Sequence, residues 1–344
     1  MQAAALYETR RFRLEDQPAP EKPGPGEVQV AVKAVGICGS DLHYFAEGAI
    51  GDTPCVYPMV LGHEPSGVVI ETGAGVGGWA AGDAAVLEPA LYCYHCEFCM
   101  SGRHNVCADM KFLSSPGEPG FFRERVNLPA HNLLALPKNV GLREGSLVEP
   151  LSIILHSMVF AQPRTGETAA VFGAGPIGLL TVAVLKLSGV RRIWVVEPVA
   201  ARRAMALAMG ADVAIDPATT DPVKEIQKDT AGRGVDLTLD CATKGDTINQ
   251  SLHTTRSAGR VVITGVPSEL RVALDFHTLR RKELTFYPVR RSNREFDMAL
   301  RLIADAPQRF APVLTHARPL DRIQSTFEML ERYEDGACKI TLTM

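Results

Sequence analysis

Residues 168–198 read TAAVFGAGPIGLLTVAVLKLSGVRRIWVVEP, and this stretch decides the fold of the middle of the chain. An apolar run, a glycine-rich turn, an apolar helical segment and a second apolar run make one strand–helix–strand unit. In Gly173-Ala174-Gly175-Pro176-Ile177-Gly178 the first glycine permits the tight turn and the second lets backbone approach a pyrophosphate. The third lets helix and strand pack closely, with the helix N-terminus facing the phosphate. The second strand ends at Glu197, nineteen residues after Gly178, where a carboxylate accepts hydrogen bonds from ribose hydroxyls. Such a carboxylate repels a 2′-phosphate, so NAD is expected over NADP, tempered by Arg202 and Arg203, since an arginine nearby accommodates that phosphate.

Working outward, the alternation continues through ARRAMALAMG, ADVAID, PVKEIQKDT, VDLTLDCAT, DTINQSLHTTR, GRVVITGV and KELTFYPVR. Six strand candidates with helical crossovers predict a doubly wound parallel sheet, an α/β fold, over residues 156–290. Residues 1–155 have a different texture, with short apolar strands such as EVQVAVKAVG punctuated by PGPGE and GAGVGG. They predict a compact β-rich domain whose loops carry the chemistry, with no long helical period. Residues 291–344 contain two helical stretches and two short strands, long enough to return to the first domain.

Composition excludes several classes. The chain of 344 residues is 46% hydrophobic and 22% charged with a formal net charge of −3, which gives no electrostatic reason to expect nucleic acid or an anionic membrane. No apolar run approaches a membrane span, and the N-terminal MQAAALYETRRFRLEDQ carries charges where a signal peptide has its apolar core. A cytoplasmic protein with small-molecule partners is expected. Eight cysteines, clustered and without an export signal, point to metal ligation in a reducing compartment rather than to disulfides.

Two groups of residues have metal-ligand chemistry. Cys93, Cys96, Cys99 and Cys107, in YCYHCEFCMSGRHNVC, allow one short loop to converge four thiolates on a tetrahedral ion with no open position, which is a structural zinc site. A disulfide pair, an iron–sulfur cluster and a DNA-binding zinc ribbon are the alternatives, the ribbon disfavoured by the lack of a basic surround. His95 and His104 lie in the same lobe as substitute ligands, whereas Cys55, Cys241 and Cys338 have no spacing partner and read as packing residues. The second group is Cys38 in GICGSDLHYF with His63 and Glu64 in VLGHEPSG. Sulfur, imidazole and carboxylate with a fourth position open is the pattern of a catalytic zinc. Taken alone, the same three residues are also compatible with a packed thiol and a hydrogen-bonded core histidine.

With these motifs in this order, the chain resembles the zinc-dependent medium-chain dehydrogenase/reductase family, in its sorbitol dehydrogenase-like polyol branch. The resemblance extends to GAIGDTP, PMVLGHEPSGVV, Met110 to Phe112, LVEPLSIILHSM and VLTHARPL, and so covers nearly the whole chain. It implies a GroES-like catalytic domain completed by the C-terminal tail, with the cofactor domain inserted and the active site in the cleft. It implies Cys38, His63 and Glu64 as catalytic zinc ligands, with Glu149 as a fourth or water-bridged partner, and hence two zinc ions per chain. Ser40 and His43 match the family's proton relay; backbone near Val266 would hold the nicotinamide carboxamide; and Tyr44, Phe112 and Arg290 map to the substrate pocket wall. Glu149 in VEP stands where alcohol dehydrogenases of the family present a second cysteine, and animal sorbitol dehydrogenases do not keep a complete four-cysteine lobe.

The expected reaction is NAD-dependent oxidation of a secondary hydroxyl in an acyclic polyol such as sorbitol or xylitol, giving a ketose, by a homotetramer or homodimer. Alternatives are a sugar-acid or polyol-phosphate dehydrogenase, a threonine or 2,3-butanediol dehydrogenase, and a zinc-binding regulatory homologue without activity.

Overall fold

The computed structural model describes residues 1–344, which divide into two compact units, Met1–Ser152 with Asn293–Met344, and Ile153–Ser292.

The first unit is built on the strand Glu27–Gly36, whose EVQVAVKAVG sequence places valines inside at nearly every other position. It is the spine of a seven-stranded sheet, pairing antiparallel with Glu64–Thr72, with Arg125–Pro129 and with the C-terminal strand Lys339–Thr343. The registers set Gly36 opposite both Glu64 and Thr341. A Cβ at position 36 would lie 2.0 Å from the Glu64 carboxylate, so glycine here is what lets that side chain lie across the strand. The last strand thus brings Lys339 next to a residue 275 positions earlier in the chain. The core beneath holds Phe12, Phe45 and Phe327, with ring centroids 4.7–5.7 Å apart, within the range for favourable aromatic pairs.

One element departs from the β-rich reading. Residues Gly39–Glu47 form a helix that begins directly after Cys38. The Asp41 carboxylate accepts the Cys38 N–H at 2.9 Å, satisfying a donor that the helix start leaves open, and Gly48 ends the helix at φ +72°. Asp41, Tyr44 and Phe45 are its buried face.

The second unit is a six-stranded parallel sheet in the order Val213–Ile215, Arg192–Val196, Thr168–Phe172, Val235–Asp240, Thr255–Ile263, Thr285–Pro288. Its central strands are buried on both faces, as parallel strands covered by helices must be; Thr168–Phe172 is almost wholly apolar, whereas Val235–Asp240 also buries Asp236, Thr238 and Asp240. The strand order reverses between Thr168–Phe172 and Val235–Asp240, and the glycine turn 173–178 leaves the sheet there, at the position where doubly wound folds bind ligands. The six strands are those expected from the sequence. A short helix, Phe276–Arg281, was not.

Candidate metal centre and cofactor turn

The end of the strand Glu27–Gly36, the start of the helix Gly39–Glu47 and the start of the strand Glu64–Thr72 meet at one point. There the ligand atoms of Cys38, His63 and Glu64 lie within 4.8 Å of one another. His63 and Glu64 are buried and Cys38 half-buried. The His63 Nδ1 is 3.4 Å from Asp41 Oδ1, while Nε2 faces Ser40 Oγ at 3.4 Å. A carboxylate on one ring nitrogen leaves the other turned toward the open side, the arrangement that orients metal-binding histidines. Asp41 is itself fixed by the N–H groups of Cys38 and Gly62. Burial opposes a charged His63 imidazole, but Asp41 and Cys38 hold its pKa well above the ordinary histidine value. A cation is therefore favoured at this spot, and the sulfur, nitrogen and oxygen donor set suits zinc.

Sequence reasoning missed Lys339. Lys339 is 1% exposed, and its ammonium donates to Glu64 Oε1 at 2.6 Å, Glu64 Oε2 at 2.7 Å and the Ile37 carbonyl at 2.9 Å. Burial works against the charged form, yet Glu64, Cys38 and Glu149 raise the Lys339 pKa above the usual lysine value. Both Glu64 oxygens are thus already engaged by a cation of the chain. Glu149 is outside the 4.8 Å cluster, buried in the first turn of the helix Val148–Ala161. A lone lysine in the apolar CKITLTM was the available signal.

Of the other expected residues of this unit, Phe112 sets its ring 5.5 Å from that of His63, tilted by 54°. Tyr44 is buried among the core side chains. His43 is half-buried on the helix Gly39–Glu47, with Nδ1 3.2 Å from Glu47 Oε1.

The four-cysteine lobe closes on itself. The sulfurs of Cys93, Cys96, Cys99 and Cys107 lie within 4.8 Å of one another, three of the pairs at 3.5–4.0 Å. Backbone N–H groups of Cys93, Cys96 and Cys99 point at sulfur atoms at 3.3–3.5 Å, a pattern that stabilises thiolates. Those of Cys99 and Ala108 pull the Cys96 thiol down to about 6. The sulfur set fits a tetrahedral zinc without either histidine. His104 is buried edge-on to Tyr92, and His95 is exposed with Nδ1 at 2.8 Å from the Cys93 carbonyl and Nε2 toward Asp109. None of the eight cysteines is in a disulfide; Cys55 lies against Met59, Cys241 against Thr181, and Cys338 is buried.

The cofactor turn discriminates among its glycines. Gly173 has φ +88°, a conformation that strains other residues, and a Cβ at Gly178 would lie 1.9 Å from the Gly173 carbonyl. At Gly175 a Cβ would meet nothing within 4 Å, so this glycine leaves an open cradle against the helix Pro176–Leu187. Glu197 is 4% exposed, and its two oxygens accept the N–H groups of Ala174 at 2.7 Å and Val199 at 2.8 Å. It therefore clamps the turn, with the remaining lone pairs free for ribose. Arg203 donates to the Glu197 and Pro198 carbonyls and pairs with Asp216, so its guanidinium is engaged within the fold. Arg202 is half-buried on the same helix. Val266, 48% exposed, follows a turn in which the N–H groups of Thr264 and Gly265 donate to the Asp240 carbonyl. Arg290 is exposed just beyond the strand Thr285–Pro288.

No helix is long and apolar enough to cross a membrane. Residues 24–138 match the alcohol dehydrogenase GroES-like domain and residues 176–305 the zinc-binding dehydrogenase family. The chain is 31% identical over 340 residues to sorbitol dehydrogenase of Bacillus subtilis (strain 168), covering 99% of this chain and 96% of that one. It superposes with a TM-score of 0.88 on 2R,3R-butanediol dehydrogenase from Bacillus subtilis, at 32% identity over 100% of this chain and 99% of the other. A zinc-binding dehydrogenase homologue from Sinorhizobium meliloti 1021, bound to NADP, superposes with a TM-score of 0.91 at 28% identity, again over 100% and 99%. The buried sulfur–imidazole–carboxylate cluster, the closed four-thiolate lobe and the open glycine cradle therefore lie in an enzyme chain that belongs to the zinc-dependent medium-chain dehydrogenase/reductase family, in its sorbitol dehydrogenase-like branch.

Proposed function

We propose that the protein oxidises a secondary hydroxyl of an acyclic polyol to the ketose, with NAD as hydride acceptor and two zinc ions per chain. The observation that carries the reading is the buried cluster of Cys38, His63 and Glu64 beside Glu149 and Lys339, a more polar metal surround than a second cysteine would make. When bound, zinc supplies the Lewis acidity that lowers the pKa of a hydroxyl, and NAD accepts the hydride. Cys38 and His63 hold the metal, and Glu64 and Glu149 supply carboxylate. Asp41 orients His63 through Nδ1. Ser40, 3.4 Å from His63 Nε2, takes the proton of the substrate hydroxyl, and His43 passes it toward solvent. Phe112, beside the His63 ring, lines the substrate side; the parts of Tyr44, which packs in the core, and of Arg290, which belongs to the other unit, rest on the family resemblance. Cys93, Cys96, Cys99 and Cys107 hold the structural zinc.

For the cofactor, Gly173, Gly175, Pro176, Ile177 and Gly178 cradle the pyrophosphate, and Val266 supports the nicotinamide carboxamide through its backbone. Glu197 supports NAD over NADP by its charge, and the engagement of Arg203 within the fold removes one candidate phosphate ligand. Eight cysteines outside any disulfide favour a cytoplasmic setting. The edge strand Thr285–Pro288, with Tyr287 exposed on it and Leu270 and Phe276 exposed on the segment leading to it, supports a homo-oligomer, a dimer or tetramer, that light scattering would reveal.

The similarity to a butanediol dehydrogenase favours a small vicinal diol as the second reading. Initial rates of nicotinamide reduction with sorbitol, xylitol, galactitol, an aldonate, a polyol phosphate, threonine and 2,3-butanediol at saturating NAD decide between them. A polyol should have the highest kcat/KM; if butanediol or threonine has it, the polyol reading fails.

A further inference from the structure

The helix Gly39–Glu47 presents Ser40, His43 and Glu47 at i, i+3 and i+7, which is one stripe along one face. Exposure rises along the stripe. His63, at its inner end, is 6% exposed; the His43 side chain is 18% exposed and that of Glu47 is 47% exposed. The contacts are 3.4 Å from His63 Nε2 to Ser40 Oγ and 3.2 Å from His43 Nδ1 to Glu47 Oε1. A stripe that begins at the metal cluster and ends at a solvent-exposed carboxylate has the layout of a proton exit.

We infer that Glu47 is a positioning residue for His43, fixing its ring so that protons leave the site along this helix face. A carboxylate at Nδ1 holds the Nδ1–H tautomer, which leaves Nε2 as the acceptor. In each turnover the Ser40 hydroxyl takes a proton from the substrate hydroxyl and gives its own to His43 Nε2, directly or through one water. The imidazolium then releases its Nδ1 proton to water beside Glu47, which leaves the Nε2–H ring, and exchange with solvent, a proton returning to Nδ1 as the Nε2 proton is lost, restores the Nδ1–H tautomer that the Glu47 carboxylate favours. No group changes charge over the cycle, and the proton ends in solvent. This assignment rests on the reading of Ser40 and His43 as the relay.

Helix stability does not explain the pair. Glu47 occupies the last turn, where a negative charge opposes the helix dipole, and an acid placed after its partner is the less favourable order for an i, i+4 pair. The same exposure makes its replacement harmless to packing.

The test uses the zinc-loaded enzyme with Glu47→Ala, Glu47→Gln and His43→Asn. Glu47→Ala should lower kcat about tenfold with KM for polyol and NAD within about twofold, against about a hundredfold for His43→Asn. Added formate should restore Glu47→Ala in a concentration-dependent way and leave His43→Asn unaffected. Ring nitrogen NMR should show His43 moving from the Nδ1–H to the Nε2–H tautomer in Glu47→Ala, and holding Nδ1–H in Glu47→Gln, whose amide oxygen still accepts. Unchanged kcat in Glu47→Ala beside a collapsed His43→Asn overturns the role of Glu47 and leaves the relay standing. A drop in Glu47→Ala without formate rescue or tautomer change also overturns it, as a packing effect. Unchanged kcat in His43→Asn overturns the relay and this inference together.

Discussion

Lys339 closes on both carboxylate oxygens of Glu64, at 2.6 and 2.7 Å, in a setting where the two side chains are 2% and 0% exposed. Two charges taken out of water at the edge of a metal cluster are tolerable only as a pair, and removing one strands the other. Lys339→Met should therefore cost about 3–5 kcal/mol of stability. It should also change the metal centre, because a Glu64 carboxylate released from the lysine is free to bind the metal more strongly. Cobalt-substituted protein gives the readout: Lys339→Met should alter the visible spectrum, Lys339→Arg should preserve it, and Lys339→Met with Glu64→Gln should recover part of the stability. An unaltered spectrum and melting temperature in Lys339→Met would refute this account.

The glycines of the cofactor turn should separate folding from binding. A side chain at Gly175 meets nothing within 4 Å, so Gly175→Val should melt within a few degrees of the parent. It fills the space a pyrophosphate would occupy, and should weaken NAD binding at least about tenfold, roughly 1.4 kcal/mol. Gly178→Ala collides with the Gly173 carbonyl and should destabilise the fold. Calorimetric titration with NAD, paired with thermal melts, checks both; equal NAD affinity in Gly175→Val would exclude the cradle as the phosphate site.

What was legible in the sequence was whatever local pattern or ligand chemistry encodes. The six parallel strands were readable from apolar runs and glycine turns, and Cys38, His63 and the four-cysteine lobe from the residue types that metals accept. Lys339 was not, because a lysine is no metal ligand and its contact depends on a strand pairing across most of the chain. The helix Gly39–Glu47 was hidden by its length, although Asp41 at its third position and Gly48 after its end were usable start and stop signals. Glu197 was read for its ribose chemistry, and its clamp on Ala174 and Val199 needed the turn's backbone to be seen.

The parallel sheet carries its own acid-sensitive element. Asp236, 6% exposed, accepts from the Thr168 N–H and hydroxyl and pairs with Arg233 and Arg256. Burial opposes its charge, but these arginines and Thr168 hold the carboxyl well below the usual range. An unfolded aspartate titrates near pH 4, about the ordinary value. Below that the unfolded chain binds a proton that the folded one does not, so this contribution is full above about pH 4 and falls away as the pH drops further. Asp236→Asn should cost about 1–3 kcal/mol near neutral pH. The gap between variant and parent in urea melts should narrow as the pH is taken below about 4, toward the folded-state pKa; a gap independent of pH would show that the charge is not what matters.

The two metal groups share no ligand, so they should be separable in kind as well as number. The Cys38, His63 and Glu64 cluster sits where three preformed elements meet, held by Asp41 and Lys339, whereas the sulfurs of the lobe are held together by one short loop. Removing the metal of the first group with a chelator should abolish turnover while leaving the melting temperature within a few degrees. Cys96→Ser should instead lower stability, through the linkage of metal binding to folding, and reduce activity only as far as the fold is lost. Elemental analysis should find two zinc ions per fully active chain, one after mild chelation, and one in Cys96→Ser. A single zinc in fully active protein, or turnover that survives Cys38→Ala, would overturn the assignment of the first group as the catalytic metal centre.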